Sequence, residues 1–206
     1  MTEGAGPVSQ AIQGRRSVRS FGDQAVQPRI VEALLKDACA APAPHHSRPW
    51  RFVHLASRES RERLADAMSD AWRADLEAEG RSVHEVAKLL KRSQAQILEA
   101  PLLILTCLHL SGARHWPDEQ RRRSERDMFV QSLGAALQNI LLAAGERGLA
   151  GYLKGAPLFC RPAVAQALAL PDGWEPEFLV LLGYPGPGFK PSERPPIDVL
   201  DFLIER

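Results

Sequence analysis

Arg15, Arg16 and Arg19 place three guanidiniums within five residues, with the Ser17 hydroxyl among them. Arginine holds phosphate and carboxylate oxygens in forked pairs, and a serine hydroxyl adds a donor. The segment is a candidate anion clamp; a solvated basic face is the competing reading. Two other stretches carry residues of functional type. One is Ala41-Pro42-Ala43-Pro44-His45-His46-Ser47-Arg48-Pro49-Trp50-Arg51-Phe52, which sets two histidines in a proline-rich loop. The other is Gly183-Tyr184-Pro185, followed by Arg194-Pro195-Pro196.

Other chemistries are poorly supplied. His45 and His46 are adjacent, so in extended chain they point to different sides, and no carboxylate or cysteine flanks them at metal-ligand spacing. His84-Glu85 begins a zinc-type helix motif, but Lys88 stands where its second histidine belongs. Cys39, Cys107 and Cys160 are far apart and show no CxxC spacing, so reduced thiols are expected. Cys107 lies in an apolar run and reads as core. No GxSxG nucleophile, Rossmann or P-loop signature is present. Arg121-Arg122-Arg123 is balanced by Asp118, Glu119, Glu125 and Asp127 and reads as a solvated helix face. A net charge of +1 gives no general pull toward nucleic acid or a membrane surface, so anion binding has to be local.

The elements that must position these residues follow from periodicity and breakers. A short helix is compatible with Ser9–Gln13, and a second is predicted over Arg29–Cys39, ended by Pro42 and Pro44, which force an extended loop. Trp50–Leu55 reads as a strand. Ser60–Glu79 reads as a helix with Leu64, Met68, Trp72 and Leu76 as its buried stripe, stopped by Gly80. Val83–Ala100 is a further helix, broken by Pro101. Leu102–Leu108 is a continuous apolar run, as in a buried central strand. A long helix is predicted over Asp118–Arg147. Its half from Phe129 to Ala144 is apolar almost all round, which points to burial against a second subunit. A short strand follows Gly148, then a helix over Pro162–Leu168 and a strand over Glu177–Leu182. The tail ends in Ile197, Val199, Leu200, Phe202 and Leu203, which need a covering surface, such as a strand or arm exchanged between subunits.

These elements make an α+β chain, one sheet layered by helices. Its 206 residues, 45% hydrophobic, fit a single domain with a dimer interface. Met1–Val8 lack the features of a signal peptide, and the run Pro101–Leu108 is far too short to span a bilayer, so a cytoplasmic protein is expected.

In order and spacing, the RRSVR-F start, the APAPHHSRPWRF segment about 25 residues on and the late GYP with its basic-Pro-Pro tail resemble the nitroreductase family of FMN-dependent oxidoreductases. The likeness runs from roughly Ser9 to Leu203. Within the family, the APAPHHSRPWRF and LFCRPAV…DGWEP stretches resemble the nitroreductase-like C-terminal domain of FbiB, an enzyme of deazaflavin (coenzyme F-420) biosynthesis. The resemblance implies a nitroreductase-like fold with a mostly antiparallel sheet, an intertwined homodimer and bound FMN. NADH or NADPH would be the donor, and a nitro compound, a quinone or a deazaflavin precursor the acceptor. A flavin- or deazaflavin-binding module without turnover is the alternative.

The same resemblance places Arg15, Arg16, Ser17 and Arg19 on the phosphate and pyrimidine side of the cofactor, and Arg194 on the phosphate. It sets Ala43, Pro44, His45 and Ser47 of the other subunit near the ring. It lays Leu153-Lys154-Gly155 along the central ring, where Gly155 would permit close backbone approach. His45, His46 and Lys154 fall on the substrate side. Lys154 departs from the family, many of whose members carry a small residue there. A chain without an evident acid–base residue suits this chemistry, because the cofactor carries the hydride and the protein supplies position and electrostatics.

Overall fold

The computed structural model describes residues 6–191 and 193–206, so most of the segment expected not to be a signal peptide lies outside the described residues. Helices α1 (Pro7–Gly14) and α2 (Pro28–Ala38) each begin at a proline, whose fixed φ suits a first helical position. Helix α2 buries Val31, Leu34 and Ala38 at helical spacing, whereas α1 touches α5 but buries no residue. Helix α3 (Arg58–Ala78) is capped by the Ser57 hydroxyl, which accepts from the Ser60 amide. Helix α4 (Val83–Glu99) opens with a reciprocal Ser82–Glu85 capping box. Helix α5 (Glu119–Glu146) is capped by Asp118, and α6 (Arg161–Ala167) is short.

Four strands, β1 (Trp50–His54), β2 (Leu102–Leu108), β3 (Ala150–Lys154) and β4 (Glu175–Gly183), form one sheet in the order β1-β2-β4-β3. Every ladder in it is antiparallel. All seven residues of β2 are buried, as its unbroken apolar run predicts. Leu102, Ile104 and Leu108 face α2 and α5, whereas Leu103, Leu105 and Cys107 face α3, α4 and α6. The two layers follow from the two-residue period of a strand. Phe129 of α5 is fully buried in the first layer, where truncation to alanine should cost roughly 3–5 kcal/mol. Thr106, the one polar residue of β2, is satisfied by donating to the Phe178 carbonyl at 3.1 Å. The β2–β4 register slips there, leaving Glu177 as the extra residue, met by Arg161 at 2.9 Å and Arg126 at 3.3 Å.

Three expectations are corrected. Trp72 is 36% exposed rather than part of the buried stripe, because that part of α3 lines a cleft instead of the sheet. The 43–48 loop is not simply extended: Pro44–His46 form a 3-10 turn, with His45, His46 and Arg48 at positive φ. The apolar half of α5 is mostly buried by its own chain, through residues such as Phe129, Leu133, Leu137 and Ile140. What remains is a narrower stripe in which Gly134 and Gln138 are exposed and Val130, Ala135 and Leu142 are half-buried. Although α5 is long and apolar enough to cross a membrane by length and composition, here it is the core helix of the first layer. Within the protomer, and among the described residues, the tail adds no strand to the sheet. It forms a 3-10 turn at Val199–Asp201 and leaves its apolar side chains exposed, since an extended segment gains ladder bonds only beside another strand.

Candidate functional site

The Arg15–Arg19 segment lies along the outer edge of β3. The buried Val18 donates its amide to the Gly151 carbonyl at 3.1 Å, and Ser17 forms an isolated parallel bridge with Gly151. On its other side Gly151 is pressed against β4, where a Cβ on residue 151 would sit 2.0 Å from the Leu181 carbonyl oxygen. The Arg19 guanidinium lies 5.0 Å from the centroid of the Tyr152 ring. Arg194 returns from the tail and donates to the Arg15 carbonyl. Arg16 turns back on α1, donating to the Gln13 carbonyl at 2.6 Å and the Arg15 carbonyl at 3.0 Å. Arg15, Ser17, Arg19 and Arg194 are thus gathered at one edge of the sheet.

From that edge β3 runs to Lys154. Its ammonium donates to Ser93 Oγ at 2.7 Å and to Gln96 Oε1 at 2.9 Å, both on α4. Burial, helped by the nearby Arg92 charge, pulls the Lys154 pKa down to about 8. Lys154 and Gly155 line a cleft of about 940 Å³ between α3, α4 and the turn after β3, with Met68, Trp72, Leu89 and Phe159 as apolar walls. A second hollow of about 720 Å³ is lined by Arg19, Phe21, Arg61 and Tyr152, and Arg92 and Gln96 line both. The Tyr152 hydroxyl is buried without a hydrogen-bond partner. Burial also pushes its phenol up, against the pull of Arg19 and Arg92. Gly155 is packed closely: a Cβ there would be 3.1 Å from the Phe178 ring. Sequence reading missed Arg92, Ser93 and Gln96, because polar residues on one face of an amphipathic helix look the same whether they meet water or a ligand, and Tyr152, because a tyrosine within a strand reads as core.

Ala43, Pro44, His45, His46 and Ser47 lie elsewhere. Their loop leads into Trp50, opposite Leu108 at one end of β2, on the β1 edge of the sheet. Gly151 pairs with Leu182, opposite Leu102 at the other end of β2, on the β3 edge. A single protomer therefore does not bring the two groups together. The loop is held from below by Glu125, which is 4% exposed. Its carboxylate accepts from the Arg114 amide at 2.9 Å and Trp116 Nε1 at 3.1 Å, with His45 Nε2 at 3.4 Å. The bonds from Arg114 and Trp116, aided by the charges of His45 and Arg114, hold that carboxyl below the usual range. Ser47 packs against Gly112, and its hydroxyl is buried without a partner. Among the described residues, no three His, Cys, Asp or Glu side chains converge as a metal site.

The nitroreductase family model matches residues 12–184, and the chain belongs to the nitroreductase family. By that membership it is an oxidoreductase, and flavin is the cofactor type the family implies. A protein of Methanothermobacter thermautotrophicus, provisionally named an NADH dehydrogenase/NAD(P)H nitroreductase, is 28% identical over 180 residues, 86% of this chain and 77% of that one. Among solved structures, a BluB-like flavoprotein from Clostridium difficile superposes with a TM-score of 0.79 at 24% identity, covering 98% of this chain and 100% of that one. The NADPH:FMN oxidoreductase of Vibrio harveyi, complexed with NAD+, gives 0.69 at 20% identity, covering 95% and 75%. These last two establish likeness of fold.

Proposed function

We propose that the protein is an FMN-dependent oxidoreductase that passes a hydride, by a ping-pong route, from NADH or NADPH to a nitro, quinone or deazaflavin-precursor acceptor. The carrying observation is the junction at β3. Arg15, Arg19 and Arg194 gather on its outer edge, and the same strand runs on to Lys154 and Gly155 at the floor of a cleft. The residues present fit the cofactor. Arg15 and Arg194, with Arg16 and Ser17 beside them, would hold its phosphate; Arg19 and the unpartnered Tyr152 hydroxyl suit the polar edge of its ring. FMN, when bound, supplies the hydride chemistry. The chain's own part is to fix and shield it: Leu153, Lys154 and Gly155 back the ring. Ala43, Pro44, His45 and Ser47 would close over it from the partner of a homodimer, the buried Ser47 hydroxyl being a donor in reserve. His45, His46 and Lys154 would then flank the acceptor. The names of the Vibrio and Clostridium neighbours support the flavin and nicotinamide parts of this reading.

An absorption spectrum and anaerobic reduction test it. The purified protein should be yellow and bleach with NADH or NADPH. Arg15→Ala and Arg194→Ala should each weaken FMN binding about ten- to a hundredfold, the effect of losing one charge-assisted contact of roughly 1.5–3 kcal/mol. Arg122→Ala should change nothing, because Arg122 only donates to the Trp116 and Pro117 carbonyls. A yellow protein that neither nicotinamide reduces would make it a flavin or deazaflavin carrier in cofactor maturation. A colourless protein that takes up no FMN would refute the proposal.

A further inference from the structure

We infer that the cleft between α3, α4 and the turn after β3 binds a planar aromatic acceptor bearing an acidic group, with the acid held by Lys154 and Arg92 and the ring between Trp72 and Phe159. The inference names the substrate class of the site proposed above and rests on that reading for what becomes of the ligand, not for its binding.

Charge is the first argument. Some helix arginines pair with carboxylates, as in Arg58–Glu62 and Arg63–Glu59 on α3 and Arg123–Glu119 on α5. Among the described residues, Lys154, Arg92 and Arg19 form no ion pair. The Lys154 ammonium has only the neutral acceptors of Ser93 and Gln96. Asp75 and Glu79, at the end of α3, also line the cleft, but Glu79 pairs with Arg81 and, among the described residues, neither carboxylate pairs with Lys154 or Arg92. Two neighbouring cations, one of them half-buried, raise each other's energy, and a bound anion relieves both. One flavin engages Arg19 at its polar edge in the proposed site and leaves Lys154 and Arg92 for a second anion.

The walls supply the second argument. Trp72 is 36% exposed and Phe159 87% exposed, and both line the cleft with Met68, Ala71 and Leu89. Large aromatic side chains gain by burial and by offset stacking on another ring, and among the described residues these two keep ring surface open to a ligand. The cleft, at about 940 Å³, is of the size that takes a small organic molecule. Lys154 and Gly155 line the same cleft, so a compact aromatic acid can meet the ammonium and still reach the ring that Gly155 would back.

The test uses the oxidised protein without nicotinamide, titrated with 4-nitrobenzoate and with the equally shaped, neutral 4-nitrobenzamide. Binding is followed by quenching of the tryptophan emission that Trp72→Phe removes. The acid should bind about tenfold more tightly than the amide, as one charge-assisted contact implies. That preference should shrink severalfold in both Arg92→Gln and Lys154→Met, two variants on different elements. It should also fade as pH rises through about 8, where Lys154 loses its charge. Equal affinities for acid and amide, or a preference untouched by both substitutions, would overturn the inference. So would quenching that appears only after residues 197–206 are removed, since the chain's own tail would then be the occupant. A colourless protein would fail the flavin reading while leaving this titration readable, so the two failures are distinct.

Discussion

Lys154 shows how one residue can be visible in the sequence and opaque in its role. Its position before Gly155 in a flavin-type loop marks it, but its contacts, Ser93 and Gln96, come from a helix some 60 residues earlier, and no local pattern announces them. Its titration gives a prediction with a definite sign. The unfolded chain keeps a lysine protonated to about 10.5, whereas burial and Arg92 bring the folded value down to about 8. Between those values the unfolded state binds more protons, so stability rises with pH; below about 8 the fold carries the whole penalty of the buried charge. Cys107, whose thiol burial pushes up to about 12, works in the opposite sense in the alkaline range. The lysine's contribution therefore has to be read as a difference. Urea denaturation of the native protein and of Lys154→Met should show the native protein gaining relative stability between about pH 8 and 10.5. A difference that stays flat across that window would mean the ammonium is better solvated than its surroundings imply.

At the scale of elements, what the sequence discloses is what periodicity and breakers encode. The β2 run, the stop at Gly80 and the limits of α5 all lie in local pattern, and the structure bears them out. Trp72 and the apolar half of α5 were misread for one reason: a stripe reports which face is apolar, not which neighbour covers it. The 43–48 loop is another case. Its prolines were legible, but not its left-handed residues, nor that Glu125, far along the chain and expected on a solvated face, is buried beneath it. A left-handed conformation costs an ordinary residue roughly 1–2 kcal/mol, so three of them need outside support. Glu125→Gln keeps the shape but loses the charge and presents an amide where an acceptor is needed. Hydrogen exchange should quicken at 45–48 and 113–116 while β2 stays protected, and Trp116 emission should shift to the red. Unchanged exchange in the loop would show that its prolines and the Ser47–Gly112 packing suffice.

At the scale of the molecule, the features left unused by one protomer point to a second. The loop that the family resemblance sets beside the cofactor ring lies at the far end and opposite edge of the sheet from Arg15, Arg194 and Gly155. The stripe of Val130, Gly134, Ala135 and Leu142 on α5 is only partly covered, and Val8 and Ile12 on α1 and the apolar tail from Ile197 to Ile204 are exposed. A twofold pairing is self-complementary, so one contact would bring each loop to the other protomer's arginines and cover both stripes at once. A homodimer is therefore expected in sedimentation at micromolar concentration, with flavin bound to it. Removal of residues 197–206 separates the parts of this argument, because it spares Arg194 and so leaves every proposed phosphate contact in the chain. If the tail grips the partner, the truncated protein should sediment as a monomer and lose flavin in the same step, since its ring would lack the partner's Ala43–Ser47. A truncated dimer that keeps its flavin would assign the interface to the α5 stripe alone. A monomer that keeps its flavin would show that each site is complete within one chain, and the two-subunit site would have to be abandoned.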